Sequence, residues 1–93
     1  MKDVHIEPRW RGAPLAPTRS AMGGLLKYGM DLNDALKVLE EGEDCCEGGR
    51  KEGVFERCLR GKEGITKVVV AESRDQHNKR DCWAVVHVGR VRG

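Results

Sequence analysis

The sequence has few aromatic residues, few prolines and no long hydrophobic run. Of its 93 residues, two are Trp, one is Tyr, one is Phe and three are Pro. No apolar stretch approaches the ~20 residues that a membrane-spanning helix needs. The first residues include Lys2 and Asp3 and lack the apolar segment of a secretory signal. We therefore expect a cytoplasmic protein without a membrane partner.

Charge is unevenly distributed along the chain, although the formal net charge is only +2. Residues 1–30 carry a net charge of +3, residues 31–47 carry −6 and residues 48–93 carry +5. An acidic run of this kind usually forms solvated surface. The alternative is that the basic C-terminal part binds phosphate, while the acidic segment limits non-specific binding.

Two short helices are predicted between the N-terminal prolines and the first cysteines. Thr18 can cap the first helix and Asp31 the second, by accepting from free backbone N–H groups of the first turn. Gly29 and Gly42 are typical of the positions at which helices end. The second helix has a core-facing apolar stripe made of Leu32, Ala35, Leu36 and Leu39.

Three strand-like segments follow the helices, at Val54–Arg60, Ile65–Glu72 and Cys82–Val91. This order predicts an α+β fold with two N-terminal helices packed on a three- to four-stranded antiparallel sheet. We expect a single domain over residues 18–93. Residues 1–17 contain all three prolines and are predicted to form an irregular arm with a short edge strand at Val4–Ile6.

The four residues between the first two strands predict a tight hairpin in which Gly61 faces Gly64. In that register, Arg60 and Lys67 share one face of the sheet. Simple alternation along the last strand groups Trp83, Val85 and His87 on a single face.

Basic side chains in the strands form the first candidate site. If the helices cover one face of the sheet, Arg60 and Lys67 remain together on the other, where they can bind phosphate oxygens. Further nucleic-acid contacts are predicted at Arg57, Trp83 and Arg90. Trp83 is the candidate for stacking on a base. A Trp buried in the core is an equally good interpretation of this residue.

His87 is the candidate for proton transfer beside these cations, because imidazole can act as a general acid or base. The alternative is a histidine with a purely structural role in the core or at a sheet edge. The predicted catalytic residues are His87, Arg60 and Lys67.

The four cysteines leave a second class of site open. Zinc sites usually pair their thiolates as C-x₂-C, whereas this chain has adjacent Cys45 and Cys46 and isolated Cys58 and Cys82. Cys45, Cys46 and Cys58 with one histidine are the candidate ligands of a metal-binding module. A cytoplasmic chain gives no reason to expect a disulfide framework. We predict no cofactor.

The order of segments resembles that of the compact toxins of the RelE/ParE superfamily, and most closely its BrnT-like branch and uncharacterised relatives. The segments concerned are KYGMDLNDALKVLEEG, ERCLRG, KVVVAES and CWAVVHVGRV, and the resemblance covers residues 27–90. The resemblance implies a curved antiparallel sheet and a ribonuclease-like activity that a small antitoxin-like protein neutralises. By position it implies roles for Arg57 or Arg60, for Lys67, and for Trp83 and His87.

The leading hypothesis is a protein that binds RNA or cleaves it without a metal. Arg60 and Lys67 would neutralise the phosphate, and His87 would act as acid or base. Two alternatives remain open: a Cys/His metal-binding module, and a non-catalytic interaction domain that uses the acidic 40–47 segment or a sheet edge.

Overall fold

The structure, a computed structural model, describes residues 8–44, 52–62, 64–76 and 79–91. Within these residues, two helices, α1 and α2, are accompanied by six strands, β1 to β6. In chain order the elements are β1 (Arg9–Trp10), β2 (Ala13–Pro17), α1 (Arg19–Lys27), α2 (Leu32–Glu41), β3 (Glu43–Asp44), β4 (Val54–Gly61), β5 (Gly64–Asp75) and β6 (Arg80–Val91). The predicted edge strand at Val4–Ile6 lies outside the described residues. Neither described helix is long and apolar enough to cross a bilayer.

The strands form one mixed sheet in the order β1-β2-β6-β5-β4-β3. The predicted three- to four-stranded antiparallel sheet is therefore wrong: the sheet has six strands, and β2 runs parallel to β6. Two of the additional strands come before the helices, within the segment predicted to be an irregular arm. The sequence did not predict β2 because it contains Pro14 and Pro17, and proline is rare inside strands. Its partner β6 is also far away in sequence, so no local pattern reports the pairing.

The helices begin and end where the sequence predicts. The Thr18 hydroxyl accepts from the Ala21 N–H at the start of α1. Asp31 and Asp34 each accept from the other's backbone N–H, which completes a capping box at the start of α2. Gly29 follows α1 with a φ of +65°, which confirms the left-handed turn expected of a glycine at that position.

The β4–β5 hairpin has the predicted register, with Gly61 opposite Gly64. Phe55 and Leu59 consequently lie on the same face as Val68 and Val70, and this face packs against the helices. In β6, by contrast, simple alternation is wrong. Val70 pairs with Val85 and Val69 pairs with His87, which leaves Val86 as an extra residue in a bulge. Val85 and Val88 therefore both enter the core, and His87 lies on the opposite face.

The core lies between the two helices and one face of the sheet. Its fully buried large side chains are Leu39, Val68, Val70 and Val85. Helix α1 approaches β6 closely at Gly24, where a Cβ atom would lie 2.4 Å from the Val88 carbonyl oxygen. A glycine is therefore required in this helix, although glycine lowers intrinsic helix stability by about 1 kcal/mol.

Candidate functional site

Arg60, Lys67 and His87 lie on the sheet face opposite the helices. We call this surface the far face and these three residues the far-face cluster. Lys67 pairs with Cys58 on one side and with Gly89 on the other. Arg60 pairs with Ile65, two residues nearer the turn, and His87 lies opposite Val69, two residues further from it, so the two are diagonal neighbours of Lys67 on opposite sides. Each starts roughly 7–8 Å from Lys67, within reach of a long side chain, whereas β5 separates Arg60 from His87.

The bulge at Val86 brings His87 into the cluster. Without the extra residue, His87 would point into the core with Val85. The His87 ring lies over Gly89, because a Cβ atom built on Gly89 would be 2.9 Å from His87 Nε2. Gly89 is directly opposite Lys67, so the imidazole lies over the residue that pairs with that lysine.

Lys67 is held by an acidic neighbour that the sequence analysis missed. Its Nζ atom lies 2.8 Å from Glu56 Oε2. Glu56 is only 5% exposed, whereas the Lys67 side chain is 41% exposed. The carboxylate therefore fixes the ammonium group in place while leaving it accessible. Alternation along β4 could have revealed Glu56, since it lies on the same face as Cys58 and Arg60.

The far face is only partly accessible around the cluster. Arg60 is exposed near the β4–β5 turn, and His87 is exposed although it pairs with Val69, which is buried at 7% exposure. Cys82, further along the same face, is buried to the same extent. The surface available to a ligand is thus the cluster and its surroundings, and not the whole face.

Arg57 lies on the helix side of the sheet, away from the cluster. Its Nη1 atom donates to Asp44 Oδ1 at 3.1 Å, and its Nη2 atom donates to the Gly42 carbonyl at 2.7 Å. Gly42 is the C-cap residue of α2. Arg57 therefore ties the end of this helix to β4, since a cation satisfies carbonyl groups that a helix terminus leaves free.

Trp83 is buried in the core at 7% exposure, so its ring is not presented to a base. The indole N–H donates to the Trp10 carbonyl at 2.7 Å. The ring centroid lies 4.9 Å from that of Trp10 and 5.5 Å from that of Phe55. Three of the four aromatic residues thus form one cluster, which the Arg11 guanidinium covers at 4.3 Å from the Trp10 ring.

Arg90 also lies on the helix side. Its Nε atom donates to Thr66 Oγ1 at 3.2 Å, and its guanidinium lies 5.2 Å from the centre of the Tyr28 ring.

Of the six residues predicted for catalysis or nucleic-acid contact, the sheet therefore brings three together on the far face. Arg57, Trp83 and Arg90 lie on its other side.

Cys58 is disulfide-bonded, which the sequence analysis gave no reason to expect. Cys82 is a free, buried thiol. A sulfur atom in a disulfide is not the thiolate that zinc requires, so Cys58 does not provide a metal ligand in this state. Cys45 and Cys46 lie outside the described residues. Within the part of the chain that the structure describes, no three His, Cys, Asp or Glu side chains are grouped to hold a metal ion.

No protein family model matches this sequence, and no curated protein or solved structure matches it either.

Proposed function

We propose that the far-face cluster binds the phosphate backbone of single-stranded RNA. The observation that supports this is that Arg60 and His87 are exposed on the far face, each as a diagonal neighbour of Lys67. Guanidinium and ammonium groups bind phosphate oxygens through charge-assisted hydrogen bonds. A single strand fits such a surface better than a duplex, because its backbone can follow the local arrangement of cations.

We further propose that His87 gives the bound RNA a route to cleavage without a metal. The 2′-oxygen attacks the adjacent phosphorus as His87 takes the 2′-hydroxyl proton. The bond from phosphorus to the 5′-oxygen then breaks, and His87 returns the proton to that oxygen. The products are a 2′,3′-cyclic phosphate and a 5′-hydroxyl. Arg60 and Lys67 stabilise the charge on the phosphate oxygens during the step.

This proposal is in line with the resemblance to RelE-like toxins. We therefore also propose the antitoxin-like partner that this resemblance implies, together with a cytoplasmic location. A small antitoxin-like protein would be expected to cover the far-face cluster and block RNA. A cytoplasmic location would bring the protein to RNA. Because disulfides are rare in the cytosol, the bond at Cys58 would be an unusual feature there.

The direct test measures the binding of a fluorescein-labelled single-stranded RNA by fluorescence anisotropy. We expect Arg60→Gln to weaken binding roughly fivefold, the effect of losing one phosphate contact. The matched control is Arg19→Gln, which removes one exposed cation from α1 on the other side of the sheet. Equal affinities for the two variants would contradict the proposal.

Lys67 needs a different design, because its removal takes the ammonium group from the buried Glu56 carboxylate. Because Glu56 is buried, the loss of this partner can lower stability by about 1–3 kcal/mol even though Lys67 is half-exposed. The double variant Glu56→Gln/Lys67→Met removes both charges and avoids this loss. We expect the double variant to remain folded and to bind RNA at least threefold more weakly than the unmodified protein. Unchanged binding would remove Lys67 from the site.

Cleavage is tested separately with His87→Gln. We expect this variant to bind RNA within twofold of the unmodified protein and to cleave it at least 100-fold more slowly, the usual effect of losing a general acid or base. Binding without any cleavage by the unmodified protein would restrict the function to RNA binding.

A further inference from the structure

A second site lies on the helix side of the sheet, where the end of α1, the face of α2 and the β4–β5 turn line an open pocket of about 380 Å³. We call it the cationic pocket. Its size falls in the range of cavities that bind small organic molecules. The sheet separates it from the far-face cluster, because Thr66 and Arg90 face the helices whereas Lys67 and His87 do not.

Three cations line this pocket: Lys37 from α2, Lys62 from the β4–β5 turn and Arg90 from β6. Among the described residues, neither lysine has an ion-pair partner. Asp34 supplies the carboxylate in the described lining, and its Oδ2 atom already accepts from the Asp31 N–H. Over the described residues, the lining therefore has a surplus of positive charge, which favours an anionic ligand.

The Arg90 guanidinium is oriented by its surroundings before any ligand arrives. Its Nε atom donates to Thr66 Oγ1 at 3.2 Å. The group also lies 5.2 Å from the Tyr28 ring centre, close enough for a cation–π contact. A guanidinium held in this way loses little entropy when it binds an oxyanion, and its planar donors match phosphate geometry.

Apolar side chains also contribute to the lining, from Met30, Val38 and Leu59. Inorganic phosphate alone would leave this apolar surface in contact with water. A ligand that places a ring against these side chains and its phosphate among the cations would use both parts of the pocket.

We infer that the cationic pocket binds a small phosphomonoester that carries a ring, with Lys37, Lys62 and Arg90 on the phosphate and Met30, Val38 and Leu59 against the ring. This site is independent of the far-face cluster and of RNA binding there.

The test titrates the full-length protein with phenyl phosphate, phenol and inorganic phosphate, and follows backbone amide shifts by NMR. We expect phenyl phosphate to shift the amides of Tyr28, Met30 and Gly64, which line the pocket. It should bind at least tenfold more tightly than inorganic phosphate, because the ring adds buried apolar area. Phenol should bind at least tenfold more weakly than phenyl phosphate, because it lacks the charge that the cations recognise.

Lys37→Gln and Lys62→Gln should each weaken phenyl phosphate at least fivefold, since each removes one charge-assisted contact from an exposed side chain that the fold does not need. Arg90→Lys keeps the charge and should still weaken binding, because an ammonium group cannot bind phosphate bidentately. The control is Arg60→Gln, which should leave phenyl phosphate affinity unchanged while it weakens RNA binding.

Three results would overturn the inference. These are shifts that map away from the pocket, affinities that do not respond to Lys37→Gln and Lys62→Gln, and phenol or inorganic phosphate binding as tightly as phenyl phosphate. A negative result for phenyl phosphate would not affect the RNA proposal, because RNA binding and cleavage are tested with variants of Arg60 and His87 on the other face.

Discussion

At the scale of single residues, Gly89 is the position over which the His87 imidazole lies, opposite Lys67. A Cβ atom at Gly89 would lie 2.9 Å from His87 Nε2, so Gly89→Ala should push the ring away. We expect RNA cleavage to fall at least tenfold, because small displacements of a reacting group slow catalysis strongly. Stability should change by less than about 1 kcal/mol, because the ring can rotate out of the way. Cleavage and thermal unfolding are measured together.

The matched control for this change is Gly61→Ala, in the same sheet. A Cβ atom at Gly61 would meet nothing closer than the Gly64 carbonyl oxygen at 3.9 Å. This variant should cleave RNA at the normal rate. If Gly89→Ala also retains full activity, the position of the His87 ring is not important for the reaction.

Trp83 is the residue whose buried polar group is most sensitive to substitution. Its indole N–H donates to the Trp10 carbonyl at 2.7 Å inside the aromatic cluster. Trp83→Phe keeps a ring but leaves this carbonyl without its donor, and we expect the free energy of unfolding to fall by about 1–3 kcal/mol. Urea denaturation measures the change. A stability equal to that of the unmodified protein would mean that the hydrogen bond contributes nothing.

At the scale of secondary-structure elements, Arg57 connects the end of α2 to the sheet. Arg57→Met should lower the free energy of unfolding by about 1–2 kcal/mol, because the Gly42 carbonyl loses a charged donor. RNA affinity should change by less than twofold in anisotropy measurements. A several-fold loss of affinity in a fully folded Arg57→Met would instead assign Arg57 to the RNA site.

The elements that the sequence predicts well are those defined by nearby residues. Thr18 and Asp31 cap their helices through contacts three residues away, and Gly61 and Gly64 set the hairpin register between adjacent strands. The placement of Arg60 with Lys67 follows from the same register. The bulge at Val86 has no signal of its own in the sequence, because it is a mismatch between two long strands. For this reason, simple alternation assigns His87 to the wrong face.

At the scale of the whole molecule, the N-terminal strands belong to the core. Trp10 and Leu15 are buried, and β2 pairs with β6 through Leu15 opposite Trp83. Loss of either buried side chain alone can cost about 2–5 kcal/mol, against a total stability of about 5–15 kcal/mol. We therefore expect a fragment of residues 18–93 to lack the dispersed amide spectrum of a folded protein. If the fragment folds, residues 1–17 are not needed for the core and form a separable arm.

The parallel pairing of β2 with β6 also explains why the overall architecture could not be predicted from the sequence. The Thr18 N–H donates to the Val85 carbonyl, so the start of α1 is attached to a strand almost at the other end of the chain. Contacts between such distant segments leave no periodic pattern in either segment. The prolines of β2 indicate an irregular arm, because proline is usually confined to edge strands. In the sheet, β2 is next to the two-residue edge strand β1.

The salt dependence of RNA binding tests the central claim most directly, namely that the far-face cluster binds phosphate. Each contact between a cation and a single-stranded phosphate contributes about −0.7 to the slope of the logarithm of the binding constant against the logarithm of salt concentration. The account predicts that Arg60→Gln makes this slope less steep by about that amount, whereas Arg19→Gln leaves it unchanged. An RNA affinity that is independent of salt, or equal slopes for the unmodified protein and Arg60→Gln, would contradict it.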